Sequence, residues 1–225
     1  MMLLSKNKKI LIYLFLLIIF GSINNKSFTN LNFFEIKNLR LIGLNSVEKE
    51  NLLSKFEIIR KKNIFFLEKK ELVKILKSNN LIESFLIFKN YPSDINIIIK
   101  KTTFLANIKI LEENFFIGSN KRLIKSAVND PNLPTVYGNP SLKDFFLINE
   151  KISKSNVELN EIKKLYFFPS KRWDLKLKNG TLIKLPTNNS IKSLNNYFKI
   201  KNLPQFSNVK IFDMRIDNQI IVNES

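Results

Sequence analysis

The stretch RWDLKLKNGTLIKLP, residues 172–186, carries the most specific structural pattern in the chain. Its first half alternates apolar and polar side chains, with Trp173, Leu175 and Leu177 on one face. This period of two is typical of a strand with one buried face. Asn179-Gly180 follows, and Asn-Gly supplies the positive φ angles of a two-residue type I′ turn. The stretch therefore predicts a β-hairpin with Trp173 in the core.

Short alternating segments continue on both sides of this hairpin. They predict a hairpin at Phe115–Ile117 and Arg122–Ile124, an extended piece at Leu133–Gly138, a helix starting near Ser141, a short helix at Ile191–Phe198, and last strands at Val209–Ile216 and Gln219–Val222. Residues 103–222 are therefore expected to form a mainly antiparallel β domain with short helices.

A different pattern precedes residue 103. It predicts a strand at Phe33–Ile42, a helix at Val47–Phe56 capped by Asn45 or Ser46, a helix at Glu68–Ser78, and strands at Phe85–Lys89 and Asp94–Lys101 around a turn at Asn90–Ser93. This order allows a three-stranded sheet with two helices packed on one face. We expect a compact α+β domain at residues 33–102.

Eleven apolar residues, Ile10–Phe20, follow three lysines at the N-terminus. Extended to Ile23, the stretch spans about 21 Å as a helix, against a bilayer core of about 30 Å. A secretory signal peptide is the alternative, although residues 23–27 offer no small-x-small cleavage site. We expect an uncleaved anchor at residues 10–26 behind a cytoplasmic tail at residues 1–9. Under either interpretation the rest of the chain is exported.

The composition argues against an enzyme. The chain has no Cys and no His, so it lacks a thiol nucleophile, the usual general base and the commonest metal ligand. Glu112 and Glu113 are adjacent, and in a strand they would point to opposite faces. We expect no catalytic residue, no metal, no cofactor and no small-molecule substrate.

The net charge of +18 invites a nucleic-acid interpretation. The basic residues, however, come as scattered pairs such as Lys61-Lys62 and Lys163-Lys164, without an aromatic-interleaved stripe or zinc-ligand spacing. A solvated surface explains this distribution, so nucleic-acid binding is not predicted. A milder consequence is attraction to anionic lipid headgroups beside the anchor.

The domain at residues 33–102 resembles a POTRA domain. The resemblance rests on its element order and on three short stretches: Arg40-Leu41-Ile42-Gly43, Asn63-Ile64-Phe65 and Lys89-Asn90-Tyr91-Pro92. POTRA units occur in outer-membrane assembly proteins and in division proteins.

The chain as a whole resembles the FtsQ/DivIB family of bacterial cell-division proteins, which have a short cytoplasmic tail, one membrane helix, a POTRA domain and a β-rich domain. The marks of the resemblance are residues 172–186, Leu133–Gly138, and Ile211–Asp217, which matches the family's Asp-x-Arg strand. One departure is Lys100-Lys101-Thr102-Thr103, where the family usually has Glu, a basic residue and Pro. The domain junction near residue 102 is therefore less certain than the domains themselves.

This resemblance implies a non-enzymatic scaffold of the divisome that links early and late division proteins during septum formation. The chain would be a single-pass protein of the cell inner membrane at the division septum, with its N-terminus cytoplasmic and its C-terminal domains periplasmic. The implied partners are the bitopic proteins FtsB and FtsL, with the septal peptidoglycan synthase complex downstream.

In the family, a segment of FtsB adds as an extra strand to the last strands of the β domain. Carried over to this sequence, the contact residues are Arg215, Ile216, Asn218, Gln219, Ile220, Ile221 and Val222. Gln219–Val222 contains no Pro and no charge, the usual protections of an edge strand. Two roles stay open for Arg215, a pair with a partner carboxylate or with Asp213 or Asp217 in the domain. Ile220 and Val222 also alternate as in any half-buried strand.

Two other functions are compatible with parts of the sequence. The first domain alone would suit a POTRA-bearing component of protein export or outer-membrane assembly, although such proteins normally continue into a long barrel. A secreted basic binding protein, released after signal cleavage, is the third hypothesis. It differs from the other two in where the mature chain begins, because signal cleavage would leave an N-terminus near residue 25.

Overall fold

The computed structural model describes residues 6–23, 34–216 and 219–223. The chain divides into two units between Lys101 and Thr102. Parts of the predicted tail and anchor, residues 1–5 and 24–26, lie outside the described residues, as does the predicted contact residue Asn218.

Helix α1 spans Lys6–Ile23 and contains the whole apolar run Ile10–Phe20. The apolar side chains of this run are between 37% and 72% exposed. In the described ranges, no helix combines the length and the apolar content needed to cross a membrane.

The first unit continues with one strand, two helices and two strands, in the predicted order. The elements are β1 (Asn38–Ile42), α2 (Ser46–Arg60), α3 (Lys69–Lys77), β2 (Ile82–Asn90) and β3 (Asp94–Lys101). The sheet order is β1-β3-β2, with β1 parallel and β2 antiparallel to β3. The predicted strand at Phe33–Ile42 is shorter than expected, because the Phe34 carbonyl accepts from the Ile64 N–H and Glu35 bridges to Asn63.

Helix α2 begins where its cap predicts. The Asn45 side chain accepts from the Glu48 N–H at 2.8 Å, and the Glu48 carboxylate accepts from the Asn45 N–H at 3.1 Å, a complete capping box. The apolar faces of α2 and α3 are buried with the central strand in one core: Leu52, Phe56, Ile59, Leu72, Leu76, Ile95, Ile97 and Ile99. The helices therefore cover one face of the sheet, as predicted.

The second unit is built on a nine-stranded sheet. Its strands are β4 (Phe104–Ile110), β5 (Glu113–Gly118), β6 (Leu123–Ser126), β7 (Thr135–Tyr137), β8 (Ile162–Phe167), β9 (Trp173–Leu177), β10 (Leu182–Lys184), β11 (Ile211–Asp213) and β12 (Ile221–Asn223). Helix α4 (Leu142–Ser153) joins β7 to β8, and α5 (Ser190–Ile200) joins β10 to β11. The strand order is β12-β11-β10-β9-β8-β7-β4-β5-β6.

Most pairings in this sheet are antiparallel, as predicted, but β4–β7, β7–β8 and β10–β11 are parallel. The predicted hairpin of β5 and β6 and the helix start at Ser141, which caps α4, are confirmed. Strands β4 and β8 were not among the predicted elements, and in β8 a register shift between Ile162 and Lys164 breaks the alternation. The predicted strand Val209–Ile216 is shorter in the structure, as β11 (Ile211–Asp213), and the predicted strand Gln219–Val222 is shifted, as β12 (Ile221–Asn223).

Trp173 lies in the core of this unit, as predicted, with 6% of its surface exposed. Its ring lies 4.9 Å from that of Phe167, measured between centroids. The same core holds residues from both helices and from β9: Phe145, Ile148, Ile152, Leu194, Tyr197, Leu175 and Leu177.

The predicted two-residue type I′ turn at Asn179-Gly180 is wrong. The β9–β10 loop has three residues, because Leu177 accepts from the Gly180 N–H at 3.1 Å and donates to the Thr181 carbonyl at 2.8 Å. Gly180 takes a φ of +91°, the expected glycine of a three-residue hairpin loop. The Asn179 side chain accepts from the Thr181 N–H at 3.0 Å. This local bond favours an Asx-type turn over the left-handed conformation that type I′ requires.

Positive φ angles at two consecutive residues occur instead between β4 and β5. Leu111 has a φ of +48° and Glu112 a φ of +67°, where Ile110 pairs with Glu113. Neither residue is favoured in such a turn, which selects Asn, Asp or Gly. The Glu112 carboxylate pairs with Lys109, and Glu113 pairs with Lys125, so this acidic dipeptide is held in two separate ion pairs.

A row of alternating charges crosses the sheet from β9 to β11. The register places Lys184 between Asp174 and Asp213. Arg172 Nε lies 3.2 Å from Asp174 Oδ1, and Arg215 binds Asp213. Burial raises the pKa of Asp174, whereas the hydrogen bonds from Arg215 lower the pKa of Asp213.

We expect the double substitution Leu111→Asn/Glu112→Gly to stabilise the second unit by about 1 kcal/mol, because it relieves two left-handed residues. The measurement is the free energy of urea unfolding followed by the fluorescence of Trp173, the sole tryptophan. The matched control, Lys178→Asn/Asn179→Gly, should bring no gain, since neither of those residues has a positive φ. Equal gains in both loops would contradict the assignment.

Asp174 and Asp213 should give opposite pH dependences. A raised folded pKa means that Asp174 costs stability as pH rises from about 3.9, its unfolded pKa, to its folded pKa. Asp174→Asn should therefore become more stable relative to wild type across that window. A lowered folded pKa means that Asp213 contributes stability above about 3.9, which is lost as pH falls through its folded pKa. Asp213→Asn should lose stability relative to wild type as pH rises, and slopes of equal sign would contradict both shifts.

Candidate partner-binding edge

The second sheet ends on one side at β12. This strand pairs antiparallel with β11, and in the described part of the chain no further strand lies beyond it. The backbone groups on its outer side therefore point away from the sheet. Such a row of N–H and C=O groups is a template for another strand.

One buried cross-strand row runs toward this edge and is left incomplete there. The register aligns Leu175, Ile183, Phe212 and Val222 on four adjacent strands. Their exposed fractions are 0%, 0%, 2% and 40%. Each inner member is covered by neighbours on both sides, whereas Val222 has a neighbour on one side only. An added strand would complete the row.

The residues around β12 keep apolar surface in contact with solvent. Ile216 is 53% exposed, Ile220 38% and Ile221 55%. Charge, Pro and bulges normally protect an edge strand, and Gln219–Val222 has neither Pro nor charge.

A groove of about 200 Å³ lies beside the edge. Its walls are one face of α5 and the chain leading into β12: Asn189, Lys192, Ser193, Asn196, Met214, Ile216, Gln219 and Ile220. The helix wall is polar and carries one lysine, and the opposite wall is mostly apolar. The groove offers room for a side chain of an incoming segment, and Lys192 favours an acidic one.

Arg215 is engaged within its own unit. Its Nε donates to both carboxylate oxygens of Asp213, at 2.8 and 2.9 Å, and its backbone N–H donates to the same carboxylate. These bonds also raise the pKa of Arg215. Of the two roles left open by the sequence, the structure shows the pair with Asp213, and Asp217 lies outside the described residues.

The structure brings most of the predicted contact residues together. Ile216, Gln219 and Ile220 line the groove, and Ile221 and Val222 form β12. The contribution of α5 was missed. Three residues of α5 line the groove, Lys192, Ser193 and Asn196, at the i, i+1 and i+4 positions of one helix face, together with its N-cap residue Asn189. That polar face was visible in the sequence, but its position beside the edge depends on the crossover from β10 to β11.

Among the described residues of this edge, no two carboxylates are arranged for acid–base chemistry. The Asp213 carboxylate accepts hydrogen bonds from Arg215, which lower its pKa. Over residues 6–23, 34–216 and 219–223, no cluster of acidic side chains could hold a metal ion. The geometry of the edge is suited to binding a chain segment.

Comparison with known proteins agrees with the sequence analysis. Residues 112–215 match the family model described as cell division protein FtsQ/DivIB, C-terminal. The chain is 27% identical over 199 residues to the cell division protein FtsQ of Rickettsia bellii (strain RML369-C), which covers 85% of this chain and 73% of that protein.

A solved structure is also similar, the major extracytoplasmic domain of the trans isomer of the cell division protein DivIB from Geobacillus stearothermophilus. It is 12% identical, with a TM-score of 0.36, and the match covers 47% of this chain and 96% of that domain. The family-model match begins at the β4–β5 turn and extends through the charge row to Arg215, and the relative matches along most of the chain. Over residues 112–215 the chain is thus similar to the FtsQ/DivIB family of bacterial cell-division proteins, and over most of its length it is similar to one FtsQ protein.

Proposed function

We propose that this cell-division protein is a non-enzymatic, membrane-anchored scaffold of the divisome. Its β12 edge would accept a strand from FtsB, in complex with FtsL, on the periplasmic side, and so link early and late division proteins up to the septal peptidoglycan synthase complex. The observation that carries the proposal is the buried row that ends at the half-exposed Val222.

Strand addition at β12 would use two kinds of contact. Backbone hydrogen bonds to the outer side of β12 provide affinity that is independent of sequence. Side chains provide the register, because Val222 continues the face of Phe212 and Ile221 continues the face of Asp213. An apolar partner residue would cover Val222, and a second partner side chain would enter the groove beside α5.

Charge supports a partner with acidic residues. The groove contains Lys192, Lys210 immediately precedes β11, and Lys184 lies one strand further in. Asp213 is already neutralised by Arg215. In this proposal Arg215 belongs to the contact region through its own exposed surface and through holding Asp213, rather than as a free cation.

The remaining features of the proposal concern the first unit. We assign residues 33–102 as a POTRA domain, supported by its strand, two helices and two strands. We assign residues 10–26 as the inner-membrane anchor, supported by the exposed apolar run of α1 behind its lysines. Confinement to the same membrane as bitopic partners would raise the effective concentration of both.

Val222→Lys should reduce the capture of FtsB and FtsL at least about tenfold, because it places a hydrated charge where the added strand must pack. The measurement is pull-down of both partners by the full chain, with circular dichroism to show that the variant is folded. Val128→Lys is the matched control, since Val128 is 70% exposed elsewhere in the second unit. Unchanged capture by folded Val222→Lys would remove β12 from the contact.

Mass spectrometry of the chain purified from membranes should find an intact N-terminus. Residues 23–27 lack a small-x-small cleavage site, so the apolar run should stay attached and hold the chain in the membrane after alkaline carbonate extraction. A mature N-terminus near residue 25, with the chain in the soluble fraction, would contradict the anchor and favour a secreted protein.

A further inference from the structure

The segment KKNIFFLEKK, residues 61–70, joins α2 to α3 and is here called the aromatic loop. Of its four central apolar residues, two are buried and two are exposed. Ile64 and Leu67 are buried, at 0% and 3% exposure, whereas Phe65 and Phe66 are 53% and 56% exposed. Two phenylalanines at the tip of one loop place a large apolar surface in water, which marks an interaction site more often than a single exposed residue does.

The outward position of the two rings is fixed by the loop itself. Lys89 of β2 donates to the carbonyls of Ile64 and Leu67, at 2.9 and 2.6 Å. Asn63 accepts from the Phe65 N–H through its side chain and from the Leu67 N–H through its carbonyl, both at 3.0 Å. Because Ile64 and Leu67 are buried and their carbonyls are bound by Lys89, the loop presents Phe65 and Phe66 without further rearrangement.

Other aromatic rings enlarge the apolar tip. The Phe65 ring stacks on Tyr91, with 4.7 Å between centroids, and meets Phe34 edge-on at 5.0 Å. Tyr91 is itself 56% exposed. Phe65 thus belongs to a continuous aromatic patch with Phe34 and Tyr91, and the exposed Phe66 is its neighbour in sequence.

Cations surround this patch. Lys61, Lys62, Lys69 and Lys70 flank the loop on both sides, and all four are exposed. Among the described residues, only Lys62 of these four has an ion-pair partner, Glu71 at 2.5 Å. The loop therefore combines an apolar tip with a cationic rim, the arrangement of segments that enter the headgroup region of an anionic membrane.

We propose that the aromatic loop docks the first unit on an anionic phospholipid surface, with Phe65 and Phe66 inserted among the headgroups and the lysines on their phosphates. We favour a membrane over a protein because exposed phenylalanines and exposed lysines lie together in one loop, as in segments that bind at an anionic membrane interface. Where the proposed anchor holds, ten residues separate Ile23 from Phe34, so the unit starts at most about 40 Å from the bilayer. That step alone rests on the proposed function.

The absence of cysteine allows a direct test. Glu68→Cys places a single nitroxide label in the aromatic loop and keeps both phenylalanines. The full chain is reconstituted in bilayers of phosphatidylcholine, with and without phosphatidylglycerol, and the label's collisions with oxygen and with a water-soluble nickel chelate are measured. We expect phosphatidylglycerol to increase the oxygen collisions and to suppress the nickel collisions.

Substitution separates insertion from mere proximity. Adding Phe65→Ser/Phe66→Ser should return the label to water, whereas the matched control Ile42→Ser/Leu86→Ser, which removes two exposed apolar side chains from the sheet of the same unit, should leave it inserted. A label that stays accessible to nickel in both bilayers, or that is shielded only when a division protein is added, would overturn lipid docking.

A separate experiment tests the anchor: the chain is floated with vesicles at high salt. If flotation fails, the anchor is contradicted, and the same label is then measured with free phosphatidylglycerol vesicles. Shielding by those vesicles supports the loop's docking, and a water-exposed label overturns it. Flotation with a water-exposed label counts against the loop alone.

Discussion

The register between β9 and β10 is the constraint on which the C-terminal sheet depends. It aligns Leu175 with Ile183 and Asp174 with Lys184. The parallel pairing with β11 then carries the apolar row to Phe212 and the charged row to Asp213. Because side chains alternate with a period of two, a slip of one residue would exchange the two rows and place the charged side chains in the apolar core. The apolar row ends at Val222 on β12, which remains half exposed. The same row therefore forms the core of the sheet and leaves apolar surface at its edge.

The few carboxylates of this basic chain are largely occupied in ion pairs. Several are committed to defined partners: Glu48 to Lys101, Glu113 to Lys125, Asp174 to Arg172 and Asp213 to Arg215. The Glu113–Lys125 pair is exposed on both sides and contributes little stability, whereas the carboxylates of the other three pairs are largely shielded from solvent. Their effect is to leave the remaining lysines as the charge that a partner or a membrane meets.

Local signals in the sequence predict local structure well. Asn45 with Glu48 and Ser141 with Asp144 mark true helix starts, because a cap involves residues only three apart. The Asn179-Gly180 turn fails, because the pairing of Leu182 with Lys176 leaves a three-residue loop. The parallel pairings of β7 and of β11 are also beyond local pattern, since they join segments far apart in sequence. The groove depends on the parallel pairing of β10 with β11, which places α5 beside β12. Its wall at residues 214–220 was therefore predictable from the sequence, whereas the wall formed by α5 was not.

An apolar edge strand without protection would ordinarily invite pairing between two copies of the same chain. Here the surroundings of β12 oppose that outcome. Lys210 immediately precedes β11 and Lys192 lies in the groove, so two copies meeting edge to edge would bring these like charges together. Like charges at an interface suppress the wrong partner, and the same charges attract a segment that carries carboxylates. In the proposed function, the charge around β12 would favour a partner strand with carboxylates, and that strand would cover the exposed side of Val222.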